Sequence, residues 1–429
     1  MKSRRAIFDG IKTDRGFSGW WVLAVAGLAL FWSGPSQTYG VSSFVEPMLD
    51  DLEMPRSMFS LYYSVGTMFS AIALIPLGRV IDRWGTKRSL LVSSVGLVAA
   101  LLFASTMRGP LMVLVAFAFL RTMGAGLLPL AARTLVPFWF VQRRGRAFSL
   151  LGLATTLSVA TIPAVGVFLI DRMGWRAAWR WEALAIALIL IPAIAFIVHD
   201  RPEDVGQRAD GEPPEPEDAP VSRSLDWGPT LHEAMRTPIF WAMVLAGAIP
   251  ALVLTGVSFN QVSLFEERGM SAGLAAATFT VESMVALPMA LFAGWLVDRK
   301  APRYAIAVSE VLFTITLIWL LFADTPTSAL TYAAWRGAAV GLWMVAMDVA
   351  WPAVFGRRHL GAIRGFGNSA GIAAAALGPL PIGFSHDLFG SYSNAIVVLA
   401  VLPLIPAVWI LVARGAGSFK PQDPEPQPA

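Results

Sequence analysis

Apolar residues fill this chain in long runs parted by short polar stretches, and each run is long enough to cross about 30 Å of hydrocarbon as a helix. The pattern predicts twelve such helices. Six lie near Trp20 to Val45, Ser57 to Ile81, Leu90 to Met107, Leu111 to Val136, Arg146 to Ile170 and Ala177 to Val198. Six more lie near Pro238 to Leu264, Ala272 to Val297, Tyr304 to Phe322, Ala329 to Phe355, Ala362 to His386 and Asn394 to Ala413. Between the sets runs one long polar segment, His199 to Arg236. Its centre, Asp210 to Pro220, is rich in Pro and Glu and reads as a disordered, extended linker. Pro229 to Thr237 reads as a short surface helix. The expected organisation is an N-terminal six-helix bundle with a basic tail (1–198), a cytoplasmic linker (199–236), a C-terminal six-helix bundle (237–414) and a disordered tail (415–429).

Composition agrees with that pattern. The 429 residues are 56% hydrophobic and 14% charged, against roughly one charged residue in four for a soluble protein. The class is an all-α membrane protein surrounded by lipid bilayer. Its cations sort by loop. Arg79, Arg83, Lys87 and Arg88, then Arg143, Arg144 and Arg146, then Arg299, Lys300 and Arg303, then Arg357, Arg358 and Arg364 fall in alternate short loops. Those loops and both termini are expected on the cytoplasmic side of a bacterial inner membrane. Lys2, Arg4, Arg5, Lys12 and Arg15 read as an uncleaved cytoplasmic tail, with no small-residue cleavage site. The opposite connections are mostly acidic (Glu46, Asp50, Asp51, Glu53, Glu266, Glu267), with Arg172, Arg176 and Arg180 as the exception. The sequence pI of about 9.6 is therefore a topology signal and implies no nucleic-acid partner. The chain has no cysteine, so disulfides, thiolate chemistry and Cys-based zinc sites are excluded.

The two sets of spans are copies. Gly40, Val41 and Ser42 recur as Gly256, Val257 and Ser258; Gly78, Asp82 and Arg83 as Gly294, Asp298 and Arg299; Pro163, Asp171 and Gly174 as Pro379, Asp387 and Gly390. Arg121, Gly126, Pro137 and Phe140 recur as Arg336, Gly341, Pro352 and Phe355, one position closer. Six spans per copy give both the same topology, related by an axis along the membrane normal, with a substrate site expected at the interface near the midplane.

The run Gly78-Arg-Val-Ile-Asp82-Arg83-Trp-Gly85-Thr-Lys87-Arg88 resembles the signature loop of the major facilitator superfamily, with a degenerate copy at Gly294 to Arg303. The resemblance covers nearly the whole chain and implies the major facilitator fold of 12 transmembrane helices in two pseudo-symmetric bundles. Gly174-Trp-Arg-Ala-Ala, Arg201-Pro-Glu-Asp-Val-Gly, Phe355 to Gly365 and Leu377-Gly-Pro look like the bacterial branch of oxalate/formate and monocarboxylate carriers. Independently of family, Asp82 can accept hydrogen bonds from a neighbouring helix N-terminus and latch two parts of the molecule together. The competing reading is that the loop charges, Lys87 and Arg88 above all, only fix topology.

Charged residues inside the spans carry the functional expectation, since each costs about 2.5 to 3.5 kcal/mol on insertion scales. The resemblance implies that the first, fourth, seventh and tenth spans line a central cavity, which would place Arg121 and Arg336 around the substrate. Two planar guanidinium groups suit a carboxylate; alternatively each only hydrogen-bonds its neighbours. Glu282, whose repeat partner is Gly66, is the expected proton-coupling residue, or else a fixed partner of Arg336. Gln37, Tyr39, Asn260 and Gln261 are further candidates for substrate contact, or for satisfying backbone near Pro35 and Pro250. Arg133 and Asp348, equivalent in the repeat and opposite in charge, are expected gate partners for the signature loops. Glu310 reads as structural. The glycine pairs Gly337/Gly341 and Gly367/Gly371 read as smooth helix faces.

Carriers of the resembling branch typically place a cation in the eighth span and some add a lysine in the eleventh; here the eighth holds Glu282 and Gly365 to Ser385 has neither Lys nor Arg. An anionic substrate must then be met by Arg121 and Arg336, and a neutral or cationic one stays open. No phosphate loop supports ATP-driven transport, the four histidines lack metal-ligand spacing, and no cofactor is expected. Gly367-Asn-Ser369-Ala-Gly371 matches a hydrolase pattern by accident, because it opens a membrane helix instead of following a strand. The expected function is secondary transport of a small solute, an organic anion such as a mono- or dicarboxylate, coupled to protons, by a monomer that is not an enzyme. A transporter-derived sensor is the alternative.

Overall fold

The computed structural model describes residues 17–54, 56–211 and 227–413. The basic tail, the linker centre 212–226 and the tail after 413 lie outside the described residues, together with what was expected of them.

In hydrocarbon a backbone N–H finds a partner only inside its own segment, so the apolar runs become helices. The N-terminal half comprises α1 (Gly19–Trp32), the short α2 (Thr38–Ser42) and α3 (Val45–Leu52), α4 (Arg56–Trp84), α5 (Thr86–Ala104) and α6 (Pro110–Leu120). It continues with α7 (Leu128–Trp139), α8 (Arg144–Met173), α9 (Trp175–Ala185) and α10 (Ile191–Ile197). Two π-helical stretches, Arg121–Leu127 and Ile186–Leu190, join α6 to α7 and α9 to α10. The linker contributes α11 (Leu231–Met235), opened by a Thr230/Glu233 capping box where a surface helix was expected. The C-terminal half comprises α12 (Pro238–Glu267), α13 (Ala272–Val297), α14 (Pro302–Leu321), α15 (Pro326–Phe355), α16 (Leu360–Leu377), α17 (Pro379–Phe389), α18 (Ser393–Val401) and α19 (Leu404–Val412).

Ten of these stretches are long and apolar enough to cross a membrane in one piece. The first and eleventh of the twelve spans are the broken ones. Each breaks at a Gly-Pro pair, Gly34-Pro35 and Gly378-Pro379, where proline withholds the N–H a continuous helix needs. Large apolar side chains such as Phe196, Phe322, Leu388 and Val398 stand fully outward, a surface that is tenable in lipid and not in water.

The interior shows how the halves meet. One hydrophobic cluster runs through the N-terminal half and on into Phe240, Met243, Val345, Phe355 and Ile363 of the C-terminal half, at the end that carries the signature loop. At the opposite end the C-terminal half keeps a cluster of its own around Val257, Phe265, Tyr332 and Ile396. The halves are therefore sealed together at the signature-loop end. Within the C-terminal half α15 lies directly on α13: a side chain at Gly337 or Gly341 would come within 2.4 or 2.3 Å of the Glu282 or Ala286 carbonyl oxygen. The second glycine pair behaves differently, with Gly367 against the Trp351 ring and Gly371 at the central cavity.

Two expectations are corrected. Arg364 is not a loop cation; it sits inside α16, 2% exposed, between the halves. Asp210 does not begin an extended stretch, because its carboxylate accepts the N–H groups of Val141, Gln142 and Arg143 at 2.9, 2.7 and 3.2 Å. Those three amides point together where the α7–α8 loop turns, and a carboxylate is the natural group to answer them.

Candidate functional site

Two latches close the signature-loop end, one from each copy of the repeat. Asp82, at the end of α4, accepts the N–H groups of Gly361 and Ala362 at 2.7 and 2.8 Å, the unsatisfied donors that open α16 in the other half. Asp298, just past α13, accepts those of Gly145 and Arg146 at 2.7 and 3.3 Å, where α8 begins. Burial pushes the Asp298 carboxyl above its ordinary range, while the amides of Gly145 and Arg146 pull the other way. Gly78 and Gly294 also make close approaches between the halves. A Cβ on Gly78 would lie 2.3 Å from the Gly361 oxygen, and one on Gly294 would lie 2.6 Å from the Gly145 oxygen. Gly85 has φ +86° and leaves room for Asp200, which accepts from Thr86 Oγ1 and from the Lys87 N–H. Lys87 Nζ reaches the Ala195 carbonyl, and Arg299 stacks on Trp295. Arg83 and Arg88 are exposed and take no part in the latches.

Between the halves lies a cavity of about 410 Å³. Gln37 and Tyr39 line it from the first span, opposite Trp343, Met347, Trp351 and Asn368 of α15 and α16. Tyr39 Oη is 2.9 Å from Ser158 Oγ. Arg133, Asp348 and Arg364 also line the cavity, and they tie the halves together. Arg133 Nε is 3.5 Å from Asp348 Oδ2, Arg364 pairs with Asp348 through Nη2, and Arg364 Nη1 donates to the Arg133 carbonyl at 3.2 Å. Arg133 and Asp348, expected to partner the signature loops, contact each other instead, and Arg364 joins them.

Neither Arg121 nor Arg336 lines this cavity. Arg336 is buried in a cage between α12, α13 and α15. Its Nη1 donates to Gln261 Oε1 at 2.8 Å and to the Tyr332 hydroxyl at 3.2 Å, its Nη2 donates to Ser258 Oγ, and its guanidinium lies over the Phe279 ring. Glu282 Oε2 stands 3.3 Å from Nε, yet Nε makes no aligned hydrogen bond. The carboxylate is therefore held by charge alone, while neutral groups hold the arginine. Gln261 is oriented by donating to Thr278 and to the Ala275 carbonyl. Asn260 donates to the Gly256 carbonyl one turn back on its own helix. Arg121 has a looser setting in the other half: Nη1 donates to the Ser36 carbonyl at 3.2 Å and the group lies 5.5 Å from the Tyr63 ring.

Sequence reasoning missed Ser258, Tyr332 and Arg364 as charge partners. Tyr332 had a signal, standing one helical turn before Arg336. Ser258 had another, as the last residue of the repeated Gly-Val-Ser. Glu310, expected to be structural, is fully buried, as is Glu182, and neither carboxylate has a partner among the described residues. Of the three cations expected as exceptions, Arg176 lies 2.5 Å from Asp51, Arg180 donates to Ser105, and Arg172 lies over the Phe168 ring.

Two six-span halves sealed at one end, with a polar cavity where they meet, define a membrane transporter of the two-bundle kind. Residues 23–379 match the Major Facilitator Superfamily, and the chain belongs to that family of secondary transporters, which are not enzymes. The fold is similar to the solved proton:xylose symporter XylE, with a TM-score of 0.73 over 92% of this chain and 95% of that one at 14% identity. Purine ribonucleoside efflux pumps NepI of Salmonella paratyphi A and Salmonella typhimurium are each 28% identical over 179 residues. Those matches span 40% of this chain and 44% of each relative.

Proposed function

We propose that this chain carries a small organic anion, such as a mono- or dicarboxylate, through the cavity between its halves by alternating access, with Glu282 as the proton site. Charge balance carries the reading. Among the described residues, the cavity lining holds two guanidinium groups, Arg133 and Arg364, against one carboxylate, Asp348, so an anion is the solute that completes it. An arriving carboxylate competes with Asp348 for these arginines and loosens the tie between the halves. The resemblance to the oxalate/formate and monocarboxylate branch points the same way. With the basic loops cytoplasmic, the sealed end faces the cytoplasm of a bacterial inner membrane, both termini lie inside, and the working unit is a monomer.

Proton coupling rests on how the cage is held. Protonating Glu282 removes the one counter-charge beside Arg336 and leaves the guanidinium on Gln261, Tyr332 and Ser258 alone, so the tie between α13 and α15 weakens.

A second reading, a neutral nucleoside or sugar, is favoured by the aromatic and amide lining of Trp343, Trp351, Tyr39, Gln37 and Asn368, and by the names of the relatives. A thermal-shift screen of purified protein separates the two. Stabilisation at 100 times Kd amounts to about 2.7 kcal/mol. Mono- and dicarboxylates are expected to give it; a shift by nucleosides alone moves the assignment to the second reading.

A further inference from the structure

A groove of about 380 Å³ runs down the outer surface between α1 and α8. We infer that it holds one acyl chain of an anionic membrane phospholipid, whose phosphate lies on Arg143 and Arg146 and draws Arg146 away from the Asp298 latch.

The groove is lined by apolar residues alone, and it exists because some of them are small. Trp20, Phe31, Leu150 and Leu157 stand beside Ala24, Gly27 and Ala154, and a Cβ on Gly27 would lie 3.3 Å from that of Ala154. From Trp20 to Phe31 α1 rises about 16 Å, about half of a 30 Å hydrocarbon core, so the groove is one leaflet deep. Trp20, its ring 5.0 Å from that of Phe140, and the exposed Trp21 set the mouth at the membrane interface on the signature-loop side. Two cations stand at that mouth. Arg146, Leu150, Ala154 and Leu157 follow at steps of four, four and three, one stripe of α8, and Arg143, the cap of that helix, precedes Leu150 by seven positions on the same side. Both arginines are exposed. Arg146 Nε lies 3.9 Å from Asp298 Oδ2, with 58% of its side chain open to the surroundings. A slot for one hydrocarbon chain that opens on two guanidinium groups is complementary to the chain and the phosphodiester of a single lipid. A second copy of this chain fits worse, since about a two-fold axis groove would face groove and set Arg143 and Arg146 against their own images. Because Arg146 belongs to both features, a phosphate that takes its guanidinium leaves Asp298 with amides alone. The lipid composition of that leaflet then bears on how firmly the halves are sealed.

Full-length protein is placed in nanodiscs of phosphatidylcholine and phosphatidylglycerol in equal amounts, and the lipids it retains on release are weighed by native mass spectrometry. Wild type should keep one phosphatidylglycerol per monomer, favoured over phosphatidylcholine about tenfold, the worth of two cations beside an anionic headgroup. Ala24→Phe fills the groove from an exposed position; it should melt like wild type in phosphatidylcholine and lose that lipid. Arg143→Gln/Arg146→Gln should keep a lipid without preference between the headgroups. Since the chain has no cysteine, a labelled cysteine pair across the signature-loop end reports the distance between the halves. That distance should widen in discs containing phosphatidylglycerol relative to phosphatidylcholine alone, and the arginine double variant should abolish the difference. Equal retention of the two lipids by wild type, undiminished retention by Ala24→Phe, or a dimer that Ala24→Phe dissolves overturns the site. Distances that ignore lipid composition overturn its link to the latch.

Discussion

The two halves inherited the same membrane arginine and treat it differently. In the C-terminal half Arg336 lies in a regular helix, caged by Gln261, Ser258, Tyr332 and Glu282. In the N-terminal half Arg121 opens a π-helical stretch and makes one described hydrogen bond, to a carbonyl. The cause lies one helix away. Where α13 carries Glu282, α4 carries Gly66, and a Cβ there would meet the Ala118 backbone N at 2.8 Å. The N-terminal copy used the position to bring helices together and the C-terminal copy used it to store a charge. One duplicated scaffold thus supplies a rigid partner and a titratable one.

The comparison can be broken by experiment. The largest expected effect is functional: Glu282→Gln should abolish uphill, pH-driven uptake in proteoliposomes while sparing counterflow exchange. Undiminished uphill uptake would put coupling elsewhere. Next, Arg336→Ala strands Glu282 and should cost about 3–5 kcal/mol of stability, as breaking a buried pair does. Arg121→Ala should cost about 1 kcal/mol, the worth of a single net hydrogen bond; equal losses in denaturant unfolding would erase the distinction between the halves. Between them falls Gly66→Ala, expected to cost about 1–3 kcal/mol by overpacking α4 against α6. The smallest effect concerns Asp298. Sealing buries this carboxyl and raises its pKa, so the sealed form takes up protons, is favoured by acid, and loses that contribution as pH rises through the raised value. Label distances across that end should widen slightly on alkalinisation, and widening on acidification would contradict the sign.

The architecture was legible because hydrocarbon leaves a chain few choices: twelve apolar runs, a polar divider and an ordered series of repeats suffice. The latch was half legible. Asp82 stood out as an acid in a basic loop, but its partners are amides, which every residue but proline owns. Arg133 and Asp348 were visible as opposite charges at equivalent positions. Arg364 was not, because nothing in a list of cations tells which one the fold swallows. Arg121 and Arg336 were expected at the cavity wall; helix number sets which helix lines a cavity, whereas the rotation of each helix sets which side chain does.

The latches also bear on how such a protein drifts over time. Each aspartate grips main chain across an approach of two glycines, Gly78 to Gly361 and Gly294 to Gly145. The receiving surface is written as a missing side chain; at Asp82 it offers only main chain, and at Asp298 the Arg146 guanidinium stands 3.9 Å away. Of its neighbours, Ala362 is buried and has room for little more than a methyl group, whereas the Arg146 side chain is largely exposed, so the two latches differ in how much variation their receiving side tolerates. A search for gates by complementary charge would pass over the Asp82 latch.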